Sequence, residues 1–231
     1  MTDPILSYAK VMRAQIDRLD VVAQNASNTN SPGYLQQSAV SSNSFLSMVR
    51  ADTEQPQQTV LHNRDLGSLK VTNRDTDFGM ASDGWFVLDG GSLEVVTRNG
   101  RFSISQNGEL QLNGYTLIGE SGPVVNANGN LQVHSDGSLY SNGQYIDKLK
   151  IVSVGKSQAL TSLGNGIYSV EGTTQIVEQP KIIQGALTGS NVSLESDMTK
   201  VIEITRHVEM LQRAMAAYND ILEIGINQIG K

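Results

Sequence analysis

The residues of this chain best suited to acid–base or metal chemistry are its three histidines and two closely spaced aspartates. His62, His134 and His207 lie far apart, none in an H-x-x-x-H spacing, and Cys is absent, so a zinc site would need ligands gathered from distant turns. Asp75 and Asp77 stand two apart, which puts both on one side of a strand and suits the paired carboxylates of glycoside hydrolysis. A solvated strand start is the plainer reading. Gly164-Asn165-Gly166 lacks the third Gly of a dinucleotide loop and runs into a strand pattern, so it reads as a turn. There is no G-x-S-x-G elbow, and Trp85, the only Trp, suits a buried hairpin better than a sugar platform. The expectation is a protein that is not an enzyme, with no catalytic residue, no metal and no cofactor.

The elements that would position any site must come from the rest of the pattern. The 231 residues hold one large or two small domains, and 39% hydrophobic content supplies a core. A net charge of -6 without a Lys/Arg cluster argues against nucleic acid as a partner, and no run of eighteen apolar residues predicts membrane insertion. Met1 to Lys10 has no apolar h-region, which predicts no cleavable signal peptide.

Both ends read as helices. Ile5, Tyr8, Met12, Ile16, Leu19, Val22 or Ala23, and Ala26 step by three and four, predicting a helix from about Pro4 to Ala26. Asn25, Asn28 and Asn30, then Pro32-Gly33, should stop it and turn the chain. At the other end, Leu194, Met198, Val201, Thr205, Val208, Leu211, Met215, Tyr218, Leu222, Gly225 and Ile229 form a second seam. Ile202, Ile204, Ala214, Ala217, Ile221 and Ile224 widen it beyond what one neighbour covers. Such a helix, from Asn191 to Lys231, would span roughly 55 Å. The Met residues on these faces, Met12, Met198, Met210 and Met215, read as core or interface.

Between the helices the period changes. Residues 37–58 are Ser- and Gln-rich and read as an extended linker with one short ordered patch. From there to about residue 180, Asn-Gly and Asp-Gly pairs punctuate short alternating runs, among them Asn107-Gly108, Asn113-Gly114, Asn142-Gly143 and Asn165-Gly166. They predict strands at 85–88, 93–98, 101–105, 109–112, 115–118, 131–134, 149–154 and 166–170. The expected fold class is mixed α and β, with long N- and C-terminal helices pairing as a coiled-coil-like bundle and a central antiparallel all-β domain. Its divisions are 1–36, 37–58, 59–180 and 181–231.

Four motifs resemble one known family in that family's order. Ala23-Gln24-Asn25-Ala26-Ser27-Asn28-Thr29-Asn30-Ser31-Pro32-Gly33-Tyr34 resembles the A-N-N-[LI]-A-N-x-[NS]-T-x-G-[FY] signature that ends the first helix of bacterial flagellar rod and hook proteins, with Gln24 and Ala26 as departures. Thr76 to Phe86 is similar to the segment L-D-[VF]-A-I-x-G-[DN]-G-[FW]-F, and Val96 to Phe102 with Asn107 to Leu110 to Y-[TS]-R-x-G-x-F…[DN]-G-x-L. Gly185 to Val192 is similar to G-x-L-E-x-S-N-V, with Thr188 in place of Glu, and Met198 to Met215 looks most like the proximal-rod branch.

The resemblance implies a structural subunit of the flagellar basal-body rod that polymerises through its terminal helices. It further implies other rod subunits as partners, room for self-association, delivery by the flagellar type III export apparatus without a cleavable signal, and a place in the basal body. The expected assembly interface is Ile5, Met12, Leu19, Asn25, Asn28, Pro32, Gly33, Ser190, Asn191, Val192, Met198, Val201, Val208 and Met215. The rival reading is a monomeric β-rich binding module or hydrolase whose helices pack on its own sheet.

Overall fold

Two long helices bracket the chain. Helix α1 runs Pro4–Ser27, with Pro4 at the position where a missing N–H costs nothing, and helix α2 runs Leu194–Ile229. Ser193 caps α2: its carbonyl accepts from Asp197 N at 3.0 Å, and its hydroxyl oxygen accepts from Ser196 N at 3.4 Å. Glu195 and Asp197 in the first turn suit the positive end of the helix. The computed structural model describes residues 4–41, 58–91, 93–125, 127 and 130–229.

Among these residues the chain falls into two units. The helical unit holds α1, α2 and a hairpin of β1 (Gln37–Ser41) and β2 (Gln58–His62), paired antiparallel from Gln37 opposite His62 to Ser41 opposite Gln58. The ends of the stretch expected as a linker are thus strands, and residues 42–57 lie outside the described residues. Helix α1 packs on α2 and on β1.

The face α1 buries overlaps the expected one in part: Tyr8, Met12 and Leu19 are half-buried and Val22 is buried. Ala14, Val22 and Asn25 turn inward and Val11 is half-buried, while Ile16 is 44% exposed and Ala23 and Ala26 face water. Two apolar rows run side by side on this helix, and the inward row carries Ala14, whose small side chain lets the helices approach. On α2, Ile204 is buried and Val201, Val208, Leu211, Met215 and Tyr218 are half-buried, whereas Met198, assigned to the inner seam, is 58% exposed.

The β unit comprises residues 28–36 and 63–192. Its centre is a six-stranded antiparallel sheet. The strands, in spatial order, are β14 (Leu160–Gly164), β15 (Ile167–Val170), β6 (Leu93–Thr97), β5 (Trp85–Gly90), β13 (Ile151–Ser153) and β16 (Gln175–Ile176). Side chains alternate across a strand, so the unbroken apolar run at the start of β5 serves two cores. Trp85 and Val87 join Leu35, Val96, Val152, Tyr168 and Val170 on one face; Phe86 and Leu88 join Phe78, Met80, Val95, Phe102 and Leu139 on the other.

Two three-stranded sheets flank it: β7 (Ser103–Ile104), β8 (Leu110–Leu112) and β9 (Tyr115–Thr116), then β10 (Leu131–Val133), β11 (Ser138–Ser141) and β12 (Gln144–Lys148). The Asn-Gly pairs turn two of these hairpins: both residues of Asn113-Gly114 and of Asn142-Gly143 have positive φ. Two further pairings join distant parts of the chain. Strand β3 (Leu69–Val71) pairs with β18 (Ala186–Thr188), and β4 (Phe78–Met80) with β17 (Ile182–Gln184), so the unit closes by bringing its last strands back to its first.

Candidate assembly site

The asparagine turn after α1 is built from side chains that read backbone. Asn25 is 1% exposed; its amide donates to Gln37 O at 2.8 Å and its Oδ1 accepts from Gln37 N at 2.8 Å, which ties the first residue of β1 to the last full turn of α1. Both backbone hydrogen-bonding groups of one residue are met at once by a side chain that carries a donor and an acceptor together. In the β unit, Asn28 accepts from the Ser31 backbone N at 3.0 Å and, through Oδ1, from the Ser31 hydroxyl at 3.0 Å. That closes the turn before half-buried Pro32.

Gly33 has φ +68, and a Cβ there would sit 2.2 Å from Asn99 N, so both conformation and space demand glycine. Its N–H donates to Thr188 O at 2.9 Å. The following Leu35 is buried, and its N–H donates to the Tyr168 hydroxyl at 3.0 Å. Burial pushes the Tyr168 phenol up to about 12, against the pull of the Leu35 N–H.

At the other end of the β unit, Ser190 accepts through its hydroxyl from Val192 N at 3.2 Å, and half-buried Asn191 reaches two further segments. Its Oδ1 accepts from Gln36 N at 2.6 Å, and its amide donates to Asn63 O and Asp65 O, each at 2.8 Å.

Of the helix positions assigned to assembly, Met12, Leu19, Val201, Val208 and Met215 are half-buried, Met198 is exposed, and the side chain of Ile5 lies outside the described residues. Asn28, Pro32, Gly33, Ser190, Asn191 and Val192 instead belong to the β unit. The outer side of α2 carries Met198, Ile202, Met210, Ile221 and Ile224, between 55% and 67% exposed.

Arg98, which the sequence reading placed in a hairpin motif without a role, is a buried anchor. It is 1% exposed, stacks 4.4 Å over the Trp85 ring, and bonds Asp83 Oδ1 at 2.5 Å, Arg64 O at 2.6 Å and Asp65 O at 3.2 Å. Burial lowers its pKa from the ordinary guanidinium value, and Asp83 opposes that shift. Arg64 in turn donates to the carbonyls of Gly155 and Gln158. The available signal was an Arg between an apolar strand end and an Asn-Gly pair, where a hairpin alone would want no buried charge.

The residues weighed for chemistry are dispersed. Asp75 is exposed while Asp77 is buried beside Arg74, 3.8 Å away. His134 packs on Tyr140 at 4.8 Å, and His207 is exposed on α2. Trp85 lies edge-on to Tyr168 within the core. Among the described residues no three metal-ligating side chains converge, and no helix is long and apolar enough to cross a membrane.

Residues 183–229, from β17 through α2, match the family described as flagellar basal body rod FlgEFG protein C-terminal. Along nearly its whole length the chain is similar to the flagellar basal-body rod protein FlgF of Mesorhizobium japonicum, 28% identical with 95% of this chain and 96% of that relative covered. Both comparisons make the chain similar to flagellar basal-body rod proteins. FlgF of Escherichia coli is 25% identical over 87% of each chain, and the flagellar hook-basal body complex protein FlhP of Bacillus subtilis 23% identical over 99% of this chain and all of that one. The matched C-terminal stretch contains both the Ser190-Asn191-Val192 lead-in and the helix with the exposed apolar face.

Proposed function

We propose that this chain is a structural subunit of the flagellar basal-body rod, of the proximal type, that assembles through its terminal helices. One observation carries the proposal: α2 has 36 residues against the 24 of α1, and its outer face stays apolar and exposed. At 1.5 Å per residue the two helices measure roughly 54 and 36 Å, so α1 cannot sheath α2 from end to end. A stripe of Met198, Ile202, Met210, Ile221 and Ile224 left in water is a liability for a monomer and a ready contact for a neighbour. A coiled-coil-like bundle completed by helices of adjacent subunits covers it, and a head-to-tail contact that does not close generates a helical shaft.

The partners are then other rod subunits, with copies of this chain able to fill the same place. On this reading the flagellar type III export apparatus delivers the subunit. The similarity to FlgF over most of the chain supports the proximal position. The subunit acts by geometry and stiffness, with no reaction to catalyse.

Because the chain has no Cys, one introduced at Ile221 is a unique handle. In purified basal bodies carrying Ile221→Cys, a thiol-to-amine crosslinker should join this subunit to an adjacent rod protein. Adducts confined within one chain would defeat the assignment and favour the self-contained monomer.

A further inference from the structure

The β unit is entered and left at four places, next to Asn28, Gln36, Asn63 and Val192. The stretch 188–191, just before the last of these, bonds the segments beside Gln36 and Asn63. Thr188 O accepts from Gly33 N at 2.9 Å, Gly189 N donates to Ser68 O at 2.8 Å, and Asn191 N donates to Tyr34 O at 3.4 Å. Gly67 lies so close to this stretch that a Cβ on it would stand 2.0 Å from Gly189 O. The Asn191 side chain finishes the closure with the acceptor bond from Gln36 and the donor bonds to Asn63 and Asp65.

We propose that Asn191 is the bolt of a local latch: its side-chain amide joins three of the four exits of the β unit, and withdrawing it loosens Gln36 and residues 63–64, which are left with the direct bond from Asn63 N to Gln36 O at 2.8 Å, while the central sheet stays shut. Asn suits the task because it offers one acceptor and two donors in a plane, and the exits present one N–H and two carbonyls. Release stays local for two reasons. Asp65 O keeps its second partner, the buried Arg98, and the strands β5, β6 and β15 take no bond from Asn191. The bolt arrives late in the chain, so the exits are set by a residue that follows the last strand of the unit.

Two variants of the full chain separate the arms of the latch. Asn191→Ala removes all three bonds, and the Gln36 amide should exchange with solvent about tenfold faster, the change expected for one lost hydrogen bond of ordinary strength. Trypsin cleavage after Arg64 should accelerate by a similar factor. Asn191→Asp keeps an acceptor for Gln36 N but turns a carboxylate on two carbonyls, so cleavage at Arg64 should accelerate while the Gln36 amide stays protected. Unchanged exchange at Gln36 and unchanged cleavage at Arg64 in Asn191→Ala would overturn the latch. So would an equal rise in exchange at Val96 and Tyr168, which marks global unfolding.

Discussion

The side chain of Asn25 meets both backbone hydrogen-bonding groups of one residue, Gln37 N and Gln37 O, each at 2.8 Å and out of reach of bulk water. Twelve residues of chain, including the whole asparagine turn, are closed by that one contact. Asn25→Ala would leave a buried donor and a buried acceptor without their partner, at a cost of about 1–3 kcal/mol. Urea unfolding of the variant, followed by helix content, should show the loss. A midpoint equal to that of the parent chain would mean the clamp is redundant.

The half-buried positions of α1 and α2 and the outer side of α2 should respond differently to charge. Leu19→Asp and Val201→Asp place a carboxylate at half-buried positions, so each should lower stability by about 1–3 kcal/mol and also prevent incorporation into the rod. Ile202→Asp and Ile221→Asp alter exposed positions and should leave the isolated chain within ~0.5 kcal/mol of the parent. They should nonetheless abolish motility, because the stripe they interrupt is the surface awaiting a neighbour. Wild-type swimming in both outer-face variants would remove that surface from the assembly contact.

Gly33→Ala demands a positive φ from a residue that resists it and pushes a methyl group into the Arg98–Asn99 backbone. The conformational penalty alone is about 1–2 kcal/mol, and the overlap adds to it. Thermal melting of the variant should fall by several degrees, with the near-ultraviolet signal of Trp85 lost in the same transition. Retention of the parental melting point would show that the turn can shift without cost.

Tyr168 should impose an alkaline limit. Its phenol is raised from the ordinary 10 to about 12 by burial, so below pH 10 it is neutral in folded and unfolded chains alike and its contribution is complete. Above pH 10 the unfolded chain ionises first, and stability declines until the folded phenol also titrates near 12. The loss at full titration is about 2–3 kcal/mol. In Tyr168→Phe the decline in urea midpoint between pH 10 and 12 should be shallower than in the parent; identical slopes would assign the alkaline loss to other groups.

Local pattern disclosed the elements that local forces build. The α1 boundaries follow from Pro4 and the asparagines, and the hairpins at 113–114 and 142–143 from residues that tolerate positive φ. What stayed hidden depends on partners far away in the chain. Strands β3, β4, β17 and β18 have three residues each, too few for a period to register, and their pairing spans more than a hundred positions. Within the expected row of α1, Val22 is buried but Ile16 is not, because two apolar rows lie side by side and only the neighbouring helix chooses between Ala14 and Ile16. Asn25 and Asn191 were singled out through the turn and the motif that contain them. Their acceptors and donors are main-chain groups of Gln36, Gln37, Asn63 and Asp65, which no side-chain code announces.

The return of β17 and β18 to β4 and β3 gives the middle of the chain the character of a cassette. Everything between residues 80 and 182 departs and comes home at adjoining points, like a noose drawn tight at its neck. Such an insert can be enlarged, trimmed or redecorated without disturbing the ends it hangs from.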